Sequence, residues 1–423
     1  MRRRRQQENL LGVVWLAMLT VIFGLMILGL GSIRYDGLDG LFERVRVEAV
    51  SQINSLRPHP EFAPTPLPAA TVDAGIFASQ LQAATATPSS GTNQAFALPS
   101  YQPALPAVEL TGFTHMWQTW NNCGPATLAT NLSFFNHYLD QAEVAAVLKP
   151  NRDDKNVSPE EMVAYAQSQG FQARVFINGN EERLKLLLSN HIPILIETWL
   201  DPEDEGGLGH YRLLIGYDDA ARQWIASDSY VGTGVDPNGQ YRGIRISYDA
   251  LDPLWAVFNR AHVVVYNDQM APLVQAIIGE DMSQAIMWHN SLARFQREIQ
   301  ERPNDPFVWF NLGSTLMAMG QYQQAATAYD QARAIGLPWR MLWYQFGPFQ
   351  AYYETGRYDE LIALADATIN TSGGQVEELY YWKGMALAAK QDIASAQQAW
   401  EKALSLKPSY TKAAVAMSEA NNE

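Results

Sequence analysis

Cysteine occurs once in the 423 residues of this chain. A single thiol excludes an internal disulfide framework and any multi-cysteine metal site. Seven histidines form no HExxH pair and no ligand cluster, so no metal and no cofactor is expected. Basic residues are outnumbered, 30 against 44 acidic, and the net charge of -14 gives no support to a nucleic-acid partner. No Walker-type glycine loop is present, which removes nucleotide hydrolysis. Residues 10–33 lack any charged side chain and follow the basic block Arg2 to Arg5. About 20 apolar residues cross a bilayer, so this run is long enough to span. The arginines stay cytoplasmic and the rest of the chain lies outside, as in a single-pass protein of the cell membrane. A cleaved signal peptide is the competing reading, but its apolar core runs only about 7–15 residues.

At 423 residues the chain is long enough for two or three domains, and 47% apolar with 11% aromatic residues fits folded globular protein rather than disorder. Residues 1–33 form the basic tail and membrane anchor. Residues 34–107 hold a short juxtamembrane helix and then a stretch of Pro, Ala, Thr, Ser and Gln with almost no charge. Such composition predicts a flexible stalk, with a reach on the order of 40 Å and an Ala-rich middle open to local helix. Residues 108–268 change from helical to strand patterning, the mark of an α+β domain. Helices are predicted over 123–139, 140–148, 159–169 and 181–189, and strands over 172–177, 192–200, 210–217, 223–227, 243–247 and 262–266. Residues 269–423 read as helical throughout.

The lone cysteine sits in Gln118-Thr-Trp-Asn-Asn-Cys123-Gly-Pro-Ala126, where a polar run gives way to Ala126, Ala129, Leu132 and Phe135. That periodicity predicts a helix opening at Cys123, where free N–H groups and the dipole favour a thiolate. A cysteine nucleophile needs a base, a group to orient the base, and oxyanion donors. His210, at the start of an alternating strand after Gly209, is the best base. Asp228 ends the next strand, where an antiparallel pair brings it beside His210. Gln118 supplies an amide for the oxyanion beside the Cys123 N–H. Each has a plainer reading alone: a packed thiol, a core histidine, a turn cap with Ser229, a surface amide. His262 and His115 are rival bases, His262 in a strand of valines. His59 and His191 lie in the stalk and in a turn. Trp117 and Trp120 flank Cys123, either lining a cleft or packing on the helix. Residues 201–209 read as a solvated turn or a lid before His210, and 236–239 as a turn.

This set resembles the papain-like peptidases related to the bacteriocin-processing, double-glycine leader peptidases. The matching residues are Gln118, Cys123-Gly124-Pro125-Ala126, His210-Tyr211 and Asp228, over roughly 111–266. The resemblance implies a papain-like fold with Cys123 and His210 as the working pair, Asp228 orienting the base and Gln118 supporting the oxyanion. Leader peptidases proper are fused to a transporter with an ATPase. This chain has neither, so cleavage after a double glycine is not carried over.

The C-terminal part repeats. Trp309, Leu312, Gly313, Ala325, Tyr329, Ala332 and Pro338 match the tetratricopeptide pattern, and Tyr380, Gly384, Leu387, Ala396, Trp400, Ala403 and Pro408 match it again. A middle copy starts at Trp343 with Phe346-Gly347, departs near Gly356 and carries extra residues before Gly373-Gly374. Residues 283–303 read as a degenerate first copy, and a plain helical bundle is the alternative. The expected function is a membrane-anchored extracytoplasmic cysteine peptidase acting on a peptide or protein, with the repeats binding substrate or a protein partner. A silent papain-like scaffold, and a cell-wall amidase or acyl transferase, are the competing expectations.

Overall fold

The computed structural model describes residues 38–55, 60–66, 72–84, 101–200 and 207–420. The charge-free run 10–33 lies outside them. No helix among the described residues is long and apolar enough to cross a membrane.

Two helices, α1 (Leu38–Ser55) and α2 (Ala74–Ala84), precede the first strand. α2 falls inside the stretch expected to be a flexible stalk; local helix was open there, and what is corrected, for the described parts, is the expectation of a free segment. Phe77, Ala78 and Leu81 are buried, and the Phe77 ring centroid lies 5.6 Å from that of Trp309. Upstream, Ala63 N–H donates to the Leu337 carbonyl at 2.8 Å, and Phe62 bridges Pro338. The physical reason is borrowed burial. Residues at positions 77, 78 and 81 form one helical stripe that has no core of its own and finds one on the repeats.

The next unit runs β1 (Ala107–Glu109), α3 (Cys123–Ser133), α4 (Gln141–Leu148), α5 (Pro159–Ser168), β2 (Gln172–Phe176), α6 (Glu181–Ser189) and β3 (Ile194–Leu200). It continues with β4 (Leu208–Asp218), β5 (Gln223–Ser227), β6 (Ile244–Ser247), α7 (Tyr248–Ala256) and β7 (His262–Tyr266). Side chains start these helices. Ser158 and Glu161 form a reciprocal capping box ahead of Pro159, and Asp140 and Glu143 do the same for α4.

The sheet order is β2-β7-β3-β4-β5-β6, with β1 added to β4, and every pairing is antiparallel. Thr198 on β3 stands opposite His210 on β4. The β4–β5 hairpin, irregular between Leu214 and Gly216, returns the chain so that Asp228 follows β5 directly. One apolar layer holds Leu128 and Leu132 of α3 and Met162 of α5 against Leu195, Leu213 and Val263 of the sheet. The other begins at Ile196, Trp199 and Leu214 and continues without a break through Phe295, Trp309 and Leu316 into the repeats.

The remaining helices are α8 (Ala271–Ile278), α9 (Gln284–Glu301), α10 (Pro306–Ala318), α11 (Tyr322–Ile335), α12 (Gly347–Glu354) and α13 (Tyr358–Ser372). They are followed by α14 (Glu377–Ala389), α15 (Ile393–Leu406) and α16 (Thr411–Ala420). Two glycines explain the close packing of the pairs α10–α11 and α14–α15. A Cβ at Gly313 would lie 2.7 Å from the Tyr329 ring, and one at Gly384 would lie 2.4 Å from Trp400 Nε1. The middle copy is built differently. Its first helix is split into a 3₁₀ turn, Trp339–Trp343, and the short α12, which starts at Gly347-Pro348. Gly373 and Gly374, with φ of 68° and 72°, end α13 in a left-handed turn.

Candidate active site

Cys123 is the first residue of α3, after Asn121 in the left-handed region (φ 56°). The approach loop is held from several sides. Asn122 Nδ2 donates to Thr119 Oγ1 at 2.8 Å, and Asn121 Nδ2 to the Asp154 carbonyl at 3.1 Å. Buried Lys149 donates to the carbonyls of Asn121 at 3.2 Å and Arg152 at 3.0 Å. Burial lowers the Lys149 ammonium to about 8, against the pull of nearby Asp154 and Cys123. Pro125 lacks an N–H, which the first helical turn does not need.

His210 opens the buried part of β4, only 3% exposed, and Asp228 is fully buried. His210 Nε2 lies 3.0 Å from Asp228 Oδ1. The ring's other nitrogen is left free of Asp228, and Cys123 is near enough to perturb the imidazole. Asp228 is saturated. Its Oδ1 also accepts the N–H groups of Tyr230 and Val231, each at 2.8 Å, and its Oδ2 accepts Arg212 Nε at 2.8 Å. Asp228 therefore caps a turn and holds the histidine at once.

Electrostatics follow from this geometry. Burial alone would raise the Cys123 thiol, but the His210 hydrogen bond and charge, with backbone help from Tyr211 and Gly124, bring it below its ordinary value. Burial would lower His210, yet Asp228 and Cys123 outweigh it and raise the imidazole to about 9. Asp228, also disfavoured by burial, is held well below the usual carboxylate range by His210, then Arg212. Both shifts run in the same direction, toward a thiolate beside an imidazolium.

Gln118 joins the same cluster. Its N–H donates to the Ser229 carbonyl at 3.0 Å, and its Oε1 accepts Ser229 Oγ–H at 2.9 Å. That orients the side-chain amide and leaves Nε2 as its donor. The four residues singled out in the sequence are thus gathered from α3, β4, the end of β5 and the loop before α3. The rivals stand elsewhere. His262 packs between Phe176 and Trp255 and is lowered by burial to about 4. His115 stacks on Tyr241 at 3.5 Å, contacts Ser227 Oγ at 3.1 Å and is lowered by burial to about 3. Trp117 packs edge-on against the same pair. His191 lies in a left-handed turn after α6, and His59 lies outside the described residues.

Residues 110–252 match the model of the Peptidase_C39 like family, and residues 306–336 and 377–410 match tetratricopeptide repeat models. The chain carries a C39-like peptidase domain followed by tetratricopeptide repeats. No curated protein matches the chain. Among solved structures, the peptidase domain of Streptococcus ComA, a bi-functional ABC transporter involved in quorum sensing, aligns at 18% identity. It covers 37% of this chain and 100% of that one, with a TM-score of 0.28. A putative C39-like peptidase from Bacillus anthracis aligns at 16% identity, 38% and 98% coverage and TM-score 0.31. A MamA fragment from Desulfovibrio magneticus RS-1 aligns at 19%, 32% and 75%, with TM-score 0.29.

Around Cys123 of the C39-like domain lies a cleft of about 410 Å³. Trp120 and Tyr230 line it from the peptidase side, and Val47 of α1 from above. Arg44 of α1 donates to the Tyr230 carbonyl at 2.6 Å and lies 4.3 Å over its ring. Arg340, Trp343 and Tyr344 line the cleft from the repeats. Sequence reasoning missed Arg212, Lys149 and these repeat residues. Arg212 had a signal, standing two positions after His210 and so on the same strand face. Lys149 had none beyond its place at the end of a helix.

Proposed function

We propose that this protein is a membrane-tethered cysteine peptidase acting outside the cytoplasm on a peptide or protein substrate. The observation that carries the reading is the placement of His210 between Cys123 and Asp228, with the thiol lowered and the imidazole raised to about 9. The Cys123 thiolate attacks the scissile carbonyl. The oxyanion is met by Gln118 Nε2 and the Cys123 N–H at the start of α3. His210 gives its proton to the leaving amine, then takes one from the water that hydrolyses the thioester. Asp228 keeps the imidazole oriented and stabilises its charge, and Arg212 fixes Asp228. The tether rests on Arg2 to Arg5 and the charge-free run that follows.

Incubation of the full chain with a peptide mixture, followed by mass spectrometry, tests this. New termini appear with wild type and not with Cys123→Ala. Release of amines from purified wall material alone would move the substrate to a cell-wall amide. Absence of turnover on either, with a demonstrably reactive thiol, would contradict the reading.

A further inference from the structure

We infer that the tetratricopeptide array is the specificity wall of the cleft, and that it selects an extended polypeptide segment with an apolar residue beside the scissile bond. The inference rests on Cys123 being the nucleophile.

The repeat models match 306–336 and 377–410 and leave the middle copy between them. That copy departs from the repeat at two places, the 3₁₀ turn Trp339–Trp343 and the glycine turn after α13. Both reach the cleft: Arg340, Trp343 and Tyr344 from the first, Ser372, Gly373 and Gln375 from the second. A regular helical hairpin would keep these side chains within the stack. The departures aim them at Cys123 instead.

Contact with the catalytic strand is direct. The Tyr344 ring rests on Gly209, where a Cβ would approach it to 3.1 Å, and Gly209 precedes His210. Arg340 donates to the Gly207 carbonyl at 3.2 Å and lies 4.9 Å and 5.6 Å from the Trp339 and Trp343 rings. Across the cleft, Lys155 lies 5.5 Å from Trp120 and 5.9 Å from Trp343, so its ammonium ties the two aromatic walls together.

Size and chemistry narrow the occupant. A cleft of about 410 Å³ is at the scale of a small-ligand pocket and takes a few side chains, not a folded surface. Trp120, Trp343, Leu200 and Leu208 offer apolar contact, and Lys155 and Arg340 outnumber the one acid of the lining, Asp153, so the balance of charge disfavours a second cation. The site accepts an apolar side chain and rejects a basic one.

The test uses the full chain and two peptidyl acyloxymethyl ketones that differ only in Phe or Lys beside the reactive carbonyl. Iodoacetamide reports the thiol independently of any subsite. Wild type labels with the Phe probe about tenfold or more faster than with the Lys probe, the scale of one large apolar contact. Trp343→Ala loses most of that ratio, Trp343→Phe retains it, and iodoacetamide rates agree across all three. Lys155→Met, a change made in the peptidase domain, speeds the Lys probe. A ratio unchanged in Trp343→Ala, or no preference in wild type despite fast iodoacetamide labelling, overturns the inference alone. Slow iodoacetamide labelling in wild type overturns the nucleophile reading and the inference with it.

Discussion

Two regions of this molecule bury carboxylates, and they treat them in opposite ways. Beneath the cleft, Asp228 meets His210, Arg212 and two backbone N–H groups and stays ionised. Where the peptidase domain meets the last repeats, Asp154, Glu377 and Glu378 crowd together with Lys149 near Asp154 and with Lys407, which pairs with Glu377 at 3.1 Å and also with Glu161, so the acids still outnumber the lysines. Burial there, reinforced by neighbouring carboxylates, raises Asp154 and Glu378 well above ordinary values. The difference lies in the count of cations and donors per acid. Where they match, the charge is kept and can serve chemistry. Where acids outnumber cations, the proton is kept and the groups serve as neutral interface contacts.

The sharpest way to break the comparison is to neutralise the ionised acid. Asp228→Asn removes the charge that holds His210 as imidazolium and leaves Arg212 buried beside an amide. The expected loss in kcat/KM is on the order of 10⁴-fold, as in other triads. Thermal unfolding should fall as well, because an uncompensated buried charge costs about 3–5 kcal/mol. Retained activity would remove Asp228 from the account.

The next largest effect concerns the loop before Cys123. Lys149→Met leaves the Asn121 and Arg152 carbonyls without their donor. We expect about 1–3 kcal/mol of lost stability and slower thiol labelling. An unchanged labelling rate would make Lys149 purely structural.

For wild type, peptide turnover should fall at alkaline pH with a limb near 9, as His210 loses the proton it gives to the leaving group. Iodoacetamide labelling, which needs the thiolate but no proton donor, should not fall there. A shared alkaline limb would contradict the division of labour.

The smallest effect tests the second acid cluster. Asp154 and Glu378 hold protons in the fold that the unfolded chain has released, so stability falls as pH rises from the ordinary carboxylate range through their raised values. Asp154→Asn with Glu378→Gln should flatten that slope and shift Tm by roughly 2–4 °C at pH 8. Calorimetry across pH 5–8 reads it directly.

Much of this was legible in the sequence. Alternation and caps marked α6, β5 and β7 to the residue, and Ser158-Pro159-Glu160-Glu161 announced its helix. The places of Cys123 at a helix start and of Asp228 after a strand end could be read from near neighbours, while β4 begins two residues before His210, the position where the sequence placed its start. What could not be read depends on distant partners. α2 folds onto Trp309, more than two hundred residues later, so its composition left local helix open but gave no sign of the docking. Trp343 and Tyr344 look like ordinary repeat aromatics until a broken helix turns them toward Cys123. Lys149 earns its place from carbonyls, which no side-chain pattern reveals.

The central claim is the Cys123–His210 ion pair, and the pH dependence of iodoacetamide labelling tests it most directly. Wild type should label quickly well below the free-thiol pKa of about 8.5, and His210→Ala should lose that advantage, slowing about tenfold per unit below it. An ordinary thiol profile in wild type, unchanged by His210→Ala, would contradict the account.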